Sequence, residues 1–135
     1  MYANFKNNID LFNKVLDGIW LRNKVINHNI ANADTPKYKK LTVSFEDKLR
    51  EALSKSDSKL VKTHEKHLPF PVNTKDIQPR IEENDKFSYR FDGNNVNIDT
   101  EMADLAKNTI MYNAVIDQLI SEFDKIKNVI HEGGK

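Results

Sequence analysis

Two heptad ladders, one at each end of the chain, constrain this sequence more than anything else in it. Phe5, Ile9, Phe12, Leu16, Ile19, Ile26 and Ile30 recur in alternating steps of four and three, with Asn23 as the one polar member. Met102, Leu105, Tyr112, Ile116, Leu119, Phe123, Ile126 and Ile130 do the same near the C-terminus, interrupted by Thr109. Such steps put one side chain per turn on a single helix seam. The spacing predicts a helix over residues 8–31 and a second from about 99 to 130. Two seams at opposite ends of a chain of 135 residues imply that the termini return and pair as an antiparallel coiled coil or bundle. The expected fold class is mainly α, with a small irregular middle region and one β-hairpin.

The helix limits follow from local chemistry. Asn32-Ala33-Asp34-Thr35-Pro36 ends the first helix, because asparagine tolerates left-handed backbone and the residue before proline is driven out of helical space. Gly18 inside that helix costs about 1 kcal/mol relative to alanine. Asp99 or Thr100 can cap the second helix, and Glu101 and Asp104 suit the positive end of its dipole. Between the helices, residues 44–53 have Phe45 and Leu49 at helical spacing, residues 54–66 read as a polar loop, and Pro69, Pro71 and Pro79 exclude long regular elements. Phe87, Tyr89 and Phe91 alternate with polar residues ahead of Asp92-Gly93-Asn94-Asn95, and Val96 and Ile98 alternate after it, which predicts a hairpin over 86–98. The expected organisation is therefore an N-terminal helical part (1–36), a variable middle (37–85), the hairpin (86–98) and a C-terminal helical part (99–135).

Both ladders are flanked by further apolar groups: Val15, Trp20 and Val25 on the first helix, and Ile110, Met111, Val115, Ile120 and Val129 on the second. A stripe that wide exceeds what one partner helix covers. Val15, Trp20, Ile110, Val115 and Ile120 are therefore expected to meet neighbouring subunits. The pairing seam is expected to comprise Phe12, Leu16, Ile19, Ile26 and Ile30 against Leu105, Tyr112, Ile116, Leu119, Phe123 and Ile126. The first segment is basic and the second acidic, which favours their pairing with each other, although salt screens exposed charges.

Little in the chain points to chemistry. A net charge of +1 gives no electrostatic case for nucleic acid, and no apolar run is long enough for membrane insertion. There is no cysteine. His64 and His67 lack a third ligand cluster, and no phosphate loop or nucleophile motif occurs, so neither an enzyme nor a cofactor is expected. The first thirty residues have no signal-peptide pattern, which implies a route other than general secretion.

Asn29-Ile30-Ala31-Asn32 followed by Thr35-Pro36-Lys37-Tyr38 resembles the N-terminal signature of flagellar axial proteins, the family that builds the bacterial flagellar rod and hook. Asp92-Gly93-Asn94-Asn95-Val96, with Glu101-Met102 and Asn108-Thr109 beyond it, is similar to the C-terminal half of the B-type proximal-rod members; a C-type rod subunit or a stand-alone helical export chaperone is the alternative. The resemblance implies a structural subunit of the proximal rod of the basal body, self-assembling into a helical tube around an export channel and transmitting torque. It implies contacts with other rod subunits and with the ring-to-rod adaptor. It also implies passage through the flagellar type III export apparatus, with Phe45 and Leu49 similar to a short export-gate element. Lys37 departs from the family pattern, which has glycine there. A β-carbon in left-handed backbone costs about 1–2 kcal/mol, so the turn is expected to keep negative φ at Lys37.

Overall fold

The structure, a computed structural model, describes residues 2–50, 78–84 and 90–133. Four elements follow in order: helix α1 (Tyr2–Ala31), strands β1 (Leu41–Ser44) and β2 (Arg80–Glu83), and helix α2 (Ile98–Gly133). A short helix also opens at Glu46 and runs to the limit of the described residues at Arg50. The long helices pair as expected and run antiparallel. Asn29 reaches Glu101, Asn108 reaches Ile19, and the Phe5 ring meets the Phe123 ring edge-on at 5.8 Å. α1 starts earlier than the ladder predicts. α2 starts just ahead of its predicted caps, because Asn97 is the cap. Its side-chain oxygen accepts from the N–H groups of Asp99 (2.9 Å) and Thr100 (3.3 Å).

Among the described residues an antiparallel strand pair is present, but not where the alternation placed it. β1 pairs with β2, Leu41 opposite Glu83 and Ser44 opposite Arg80. Val96 lies in irregular backbone and Ile98 is already the first residue of α2, so the second arm of the hairpin expected over 86–98 is not a strand. The physical reason is local: the Asn94 side-chain oxygen takes the Val96 N–H, a donor a ladder would need, and Asn97 caps α2, so the chain is already helical at Ile98. Residues 85–89, which carry most of the first arm, and the stretch with the loop, the histidines and two of the prolines lie outside the described residues.

Burial on α1 is rotated off the centre of its ladder, keeping Ile19 and Ile26 and adding their flank. Gly18, Ile19, Val25, Ile26 and Asn29 are buried, whereas Phe12, Leu16 and Ile30 are only half-buried. The rotation comes from β1 and Phe45, which cover that flank of α1. Phe45, itself 4% exposed, packs with Val15, Val43 and Leu49 and lies over Gly18. A β-carbon at Gly18 would fall 2.6 Å from the Phe45 ring, so the glycine that weakens the helix is the seat of the core aromatic.

Candidate functional site: the junction of the two helices

The end of α1 and the start of α2 meet in a junction built largely from asparagine. A side-chain amide carries two donors and a two-lone-pair acceptor, so it can stand in for a peptide group where chain segments meet at awkward angles. Asn29 is fully buried and uses all of this capacity. Its nitrogen donates to the Leu41 carbonyl (2.8 Å) and the Glu101 carboxylate (3.0 Å), and its oxygen accepts from the Leu41 N–H (2.9 Å) and the Tyr38 hydroxyl (2.9 Å). One side chain thus closes the edge of β1, holds the exit turn and grips α2. The Tyr38 hydroxyl spends its proton on Asn29, so His28 Nδ1, 2.8 Å away, donates to it; that fixes the His28 tautomer.

The exit turn contradicts the expectation for Lys37. Its φ is +62°, in left-handed backbone. The Tyr38 N–H returns to the Thr35 carbonyl at 3.3 Å, giving a turn with Pro36 second and Lys37 third, the place that demands positive φ. The turn is over-determined from outside. The Lys37 N–H donates to the Asp92 carbonyl at 2.9 Å, and Gly93, itself at φ +77°, lies against the Lys37 backbone. Docking of the segment before α2 therefore outweighs the cost of the β-carbon.

That segment also caps α1. Asn94 is fully buried, and its nitrogen reaches the carbonyls of Asn32 (2.9 Å), Ala33 (3.0 Å) and Thr35 (2.9 Å), one of its two protons being shared. Arg90 adds a bond to the Ala33 carbonyl at 3.1 Å and pairs with Asp92 at 2.8 Å. The last carbonyls of a helix have no partner within it, and here a distant part of the chain supplies one. Asn95 accepts from the Lys40 N–H (2.6 Å) and donates to the Asn84 carbonyl (2.7 Å), so it spans the end of the strand pair.

One buried charge completes the junction. Glu101 is 1% exposed, and its second oxygen is 2.5 Å from the Lys40 ammonium. Tyr38 sits close to this carboxylate. Burial, followed by the charges of Glu101 and Glu83, pushes its hydroxyl above the usual 10.0. Asp92 is held below the ordinary carboxylate value, chiefly by the backbone N–H of Asn94 and also by Arg90.

The sequence motif residues Asn29, Asn32, Thr35 and Tyr38 thus come together, with Asn32 bonded to the His28 carbonyl and to Thr35. Ile30 is half-buried, and Ala31 and Pro36 are exposed. Of the expected seam, Ile19 and Ile26 are buried. Leu105, Ile116, Leu119 and Ile126 are half-buried, and Tyr112 and Phe123 are about half exposed. Of the residues expected to meet neighbours, Trp20, Ile110 and Ile120 are exposed, whereas Val15 and Val115 are half-buried. Asn23 accepts from Asn27 on its own helix at 2.8 Å and Thr109 bonds back to Leu105 at 3.0 Å, so neither sets the helix register. Sequence reasoning missed Lys40, Asn94 and Glu101 as junction residues. Two of them stood in the matched segments, where their types fitted a turn and a helix dipole equally well.

The described residues form an antiparallel pair of long helices closed by asparagine-rich segments, an architecture of the kind the flagellar axial resemblance implies. The comparisons narrow this. The chain is 36% identical over 131 residues to the flagellar basal body rod protein FlgB of Bacillus subtilis, covering 97% of this chain and 98% of that protein. It is 35% identical to FlgB of Borreliella burgdorferi, over 93% of this chain and 97% of that one. With FlgB of Escherichia coli the identity is 29%, over 83% and 84% of the two chains. No protein-family model matches. The chain belongs to the FlgB family of flagellar basal body rod proteins.

Proposed function

We propose that this chain is a structural, non-catalytic subunit of the proximal rod in the flagellar basal body, completed by its neighbours. The observation that carries the reading is a lopsided core. Among the described side chains, every fully buried one lies between positions 18 and 45 or between 94 and 108. Residues 109–133 of α2 have none, and that stretch is roughly 37 Å long at 1.5 Å per residue. It still displays Ile110, Ile120, Phe123, Val129 and Ile130, each at least half exposed, with Trp20 exposed on α1. Fully burying one such side chain stabilises by about 1.5–3 kcal/mol, which leaves a large reserve for assembly. Exposed apolar surface on this scale marks a protein interaction face.

In this reading the paired helices form the inner part of a tube, and the rigid junction transmits torque between them. The chain leaves the cytoplasm through the flagellar type III apparatus and meets other rod subunits and the ring-to-rod adaptor in the periplasmic rod. Phe45 is core in the folded chain, so an export gate that reads Phe45 and Leu49 reads them before folding. The test is a strain carrying Ile110→Glu and Ile120→Glu. Both sites are exposed, so the purified variant is expected to keep wild-type helicity, while swimming and rod assembly in isolated basal bodies are lost. Normal swimming with both substitutions would sink the proposal, as would normal swimming after removal of residues 128–135.

A further inference from the structure

We infer that Glu101 and Asn108 select which face of α2 pairs with α1, and so decide which row of its ladder stays outside. The inference concerns pairing within one chain and does not rest on the subunit reading above. The α2 ladder has two rows. Met102, Thr109, Ile116, Phe123 and Ile130 recur at intervals of seven, and Leu105, Tyr112, Leu119 and Ile126 stand between them. Apolar burial alone would set the line between the two rows against α1. The structure differs. Met102, Phe123 and Ile130 of the first row are at least half exposed, and Thr109 is exposed. The face turned to α1 carries the row one residue earlier, which lies about 100° round a helix of 3.6 residues per turn. In that row Glu101 and Asn108 are buried, and Val115 and Glu122 are half-buried.

Two hydrogen bonds account for the choice. The Asn29 side-chain nitrogen donates to the Glu101 carboxylate at 3.0 Å, and the Asn108 nitrogen donates to the Ile19 carbonyl at 3.1 Å. Their α1 partners cannot follow a turning α2, because Asn29 is tied to both backbone groups of Leu41 and the Ile19 carbonyl is helix backbone. Setting Met102 and Thr109 against α1 would break both bonds. Burial of these groups stabilises little by itself. The Asn108 oxygen has no partner among the described residues, and the Glu101 charge, paired with Lys40, has been taken out of water. Polar residues in an apolar seam characteristically lose stability and gain a defined pairing. Here two stand one heptad apart. The next position of their row is Val115, and farther on Phe123 of the first row returns to Phe5. A straight helix drifts about 20° per heptad against a seven-residue repeat, so the ladder swings back once the polar pair has set where it starts.

The chain has no cysteine, so one thiol can be placed on either row of the intact protein. Thr109→Cys reports the outward row and Val115→Cys the inward one. In otherwise unaltered chains Thr109→Cys is expected to react several-fold faster with a neutral maleimide, because its site is exposed and that of Val115 is half-buried. Adding Glu101→Ala and Asn108→Ala removes both polar contacts, lets the ladder turn inward, and is expected to reverse the order of the two rates. Glu101→Gln, which keeps an acceptor for Asn29, is expected to preserve the order. Circular dichroism checks that each variant keeps its helices. If the double variant does not fold, Asn108→Ala alone is expected to slow Thr109→Cys and quicken Val115→Cys. Acceleration of both thiols, which local loosening would give, would overturn the inference. Unchanged rates in a folded variant, or reversal in Glu101→Gln, would do the same.

Discussion

Lys37 shows how a single residue can hold an unfavourable backbone. Its φ of +62° is fixed by the Asp92 carbonyl on one side and the Thr35–Tyr38 turn on the other, so the β-carbon penalty is outweighed rather than absent. Lys37→Gly removes about 1–2 kcal/mol of left-handed strain and adds back part of that as unfolded-chain entropy. The expected outcome is a net gain of about 0.5–1 kcal/mol in urea unfolding with m unchanged; a loss would mean the lysine side chain contributes to the fold. Gly18 is the opposite case. Helix propensity alone predicts that Gly18→Ala stabilises by about 1 kcal/mol. The Phe45 ring, 2.6 Å from the new methyl, predicts the reverse, because the ring must leave a packed site. We expect a net loss of about 1–3 kcal/mol by thermal or urea unfolding. The sequence revealed the propensity cost of Gly18 and the turn chemistry at Lys37. It could not reveal the partners that decide both, since Phe45 and Asp92 are distant in the chain.

At the scale of elements, the helices were legible because a heptad repeats often enough to be read. β1 and β2 were not, because four residues with Lys40 before one and Glu82 and Glu83 in the other offer too little alternation. The alternating Phe87–Ile98 stretch misled for the converse reason: its period of two is real, but Asn94 captures the Val96 N–H and Asn97 starts a helix at Ile98. What joins these elements is a shared polar cluster, and it carries a pH signature. Tyr38 has a folded pKa raised above 10.0 by burial first, then by Glu101 and Glu83. The native state therefore holds the phenolic proton more tightly than the unfolded chain does. That stability is fully present below the unfolded value and is lost as pH rises through the folded one. Tyr38→Phe is expected to remove the alkaline part of the fall in stability above pH ~10, seen as a flatter pH profile of Tm. It also costs about 1 kcal/mol at neutral pH, because Asn29 loses a donor. An unchanged alkaline limb would locate the titrating group elsewhere.

On the scale of the whole molecule, pairing of the termini could be read from the ladders, whereas the uneven distribution of burial could not. Heptads look alike along their length, and only tertiary packing distinguishes the half covered by Phe45, β1 and the asparagine junction from the half covered by one partner helix. The difference has a kinetic consequence. Local opening free energy follows local burial and bonding, so the junction forms the stable unit and the far halves of α1 and α2 open more cheaply. Amide hydrogen exchange on the isolated chain is expected to be slowest near Ile26–Asn29 and Glu101–Asn108, and faster by orders of magnitude beyond Phe123 and before Phe12. In purified rods the slow region is expected to extend to both ends, as the proposed burial of Ile110, Ile120 and Ile130 by neighbours requires. A self-sufficient helical export chaperone makes the opposite prediction, with uniformly slow exchange along both helices before any assembly. Uniform protection in the monomer would therefore mean that the long helices are complete on their own, and that their exposed apolar residues are not held in reserve for the rod.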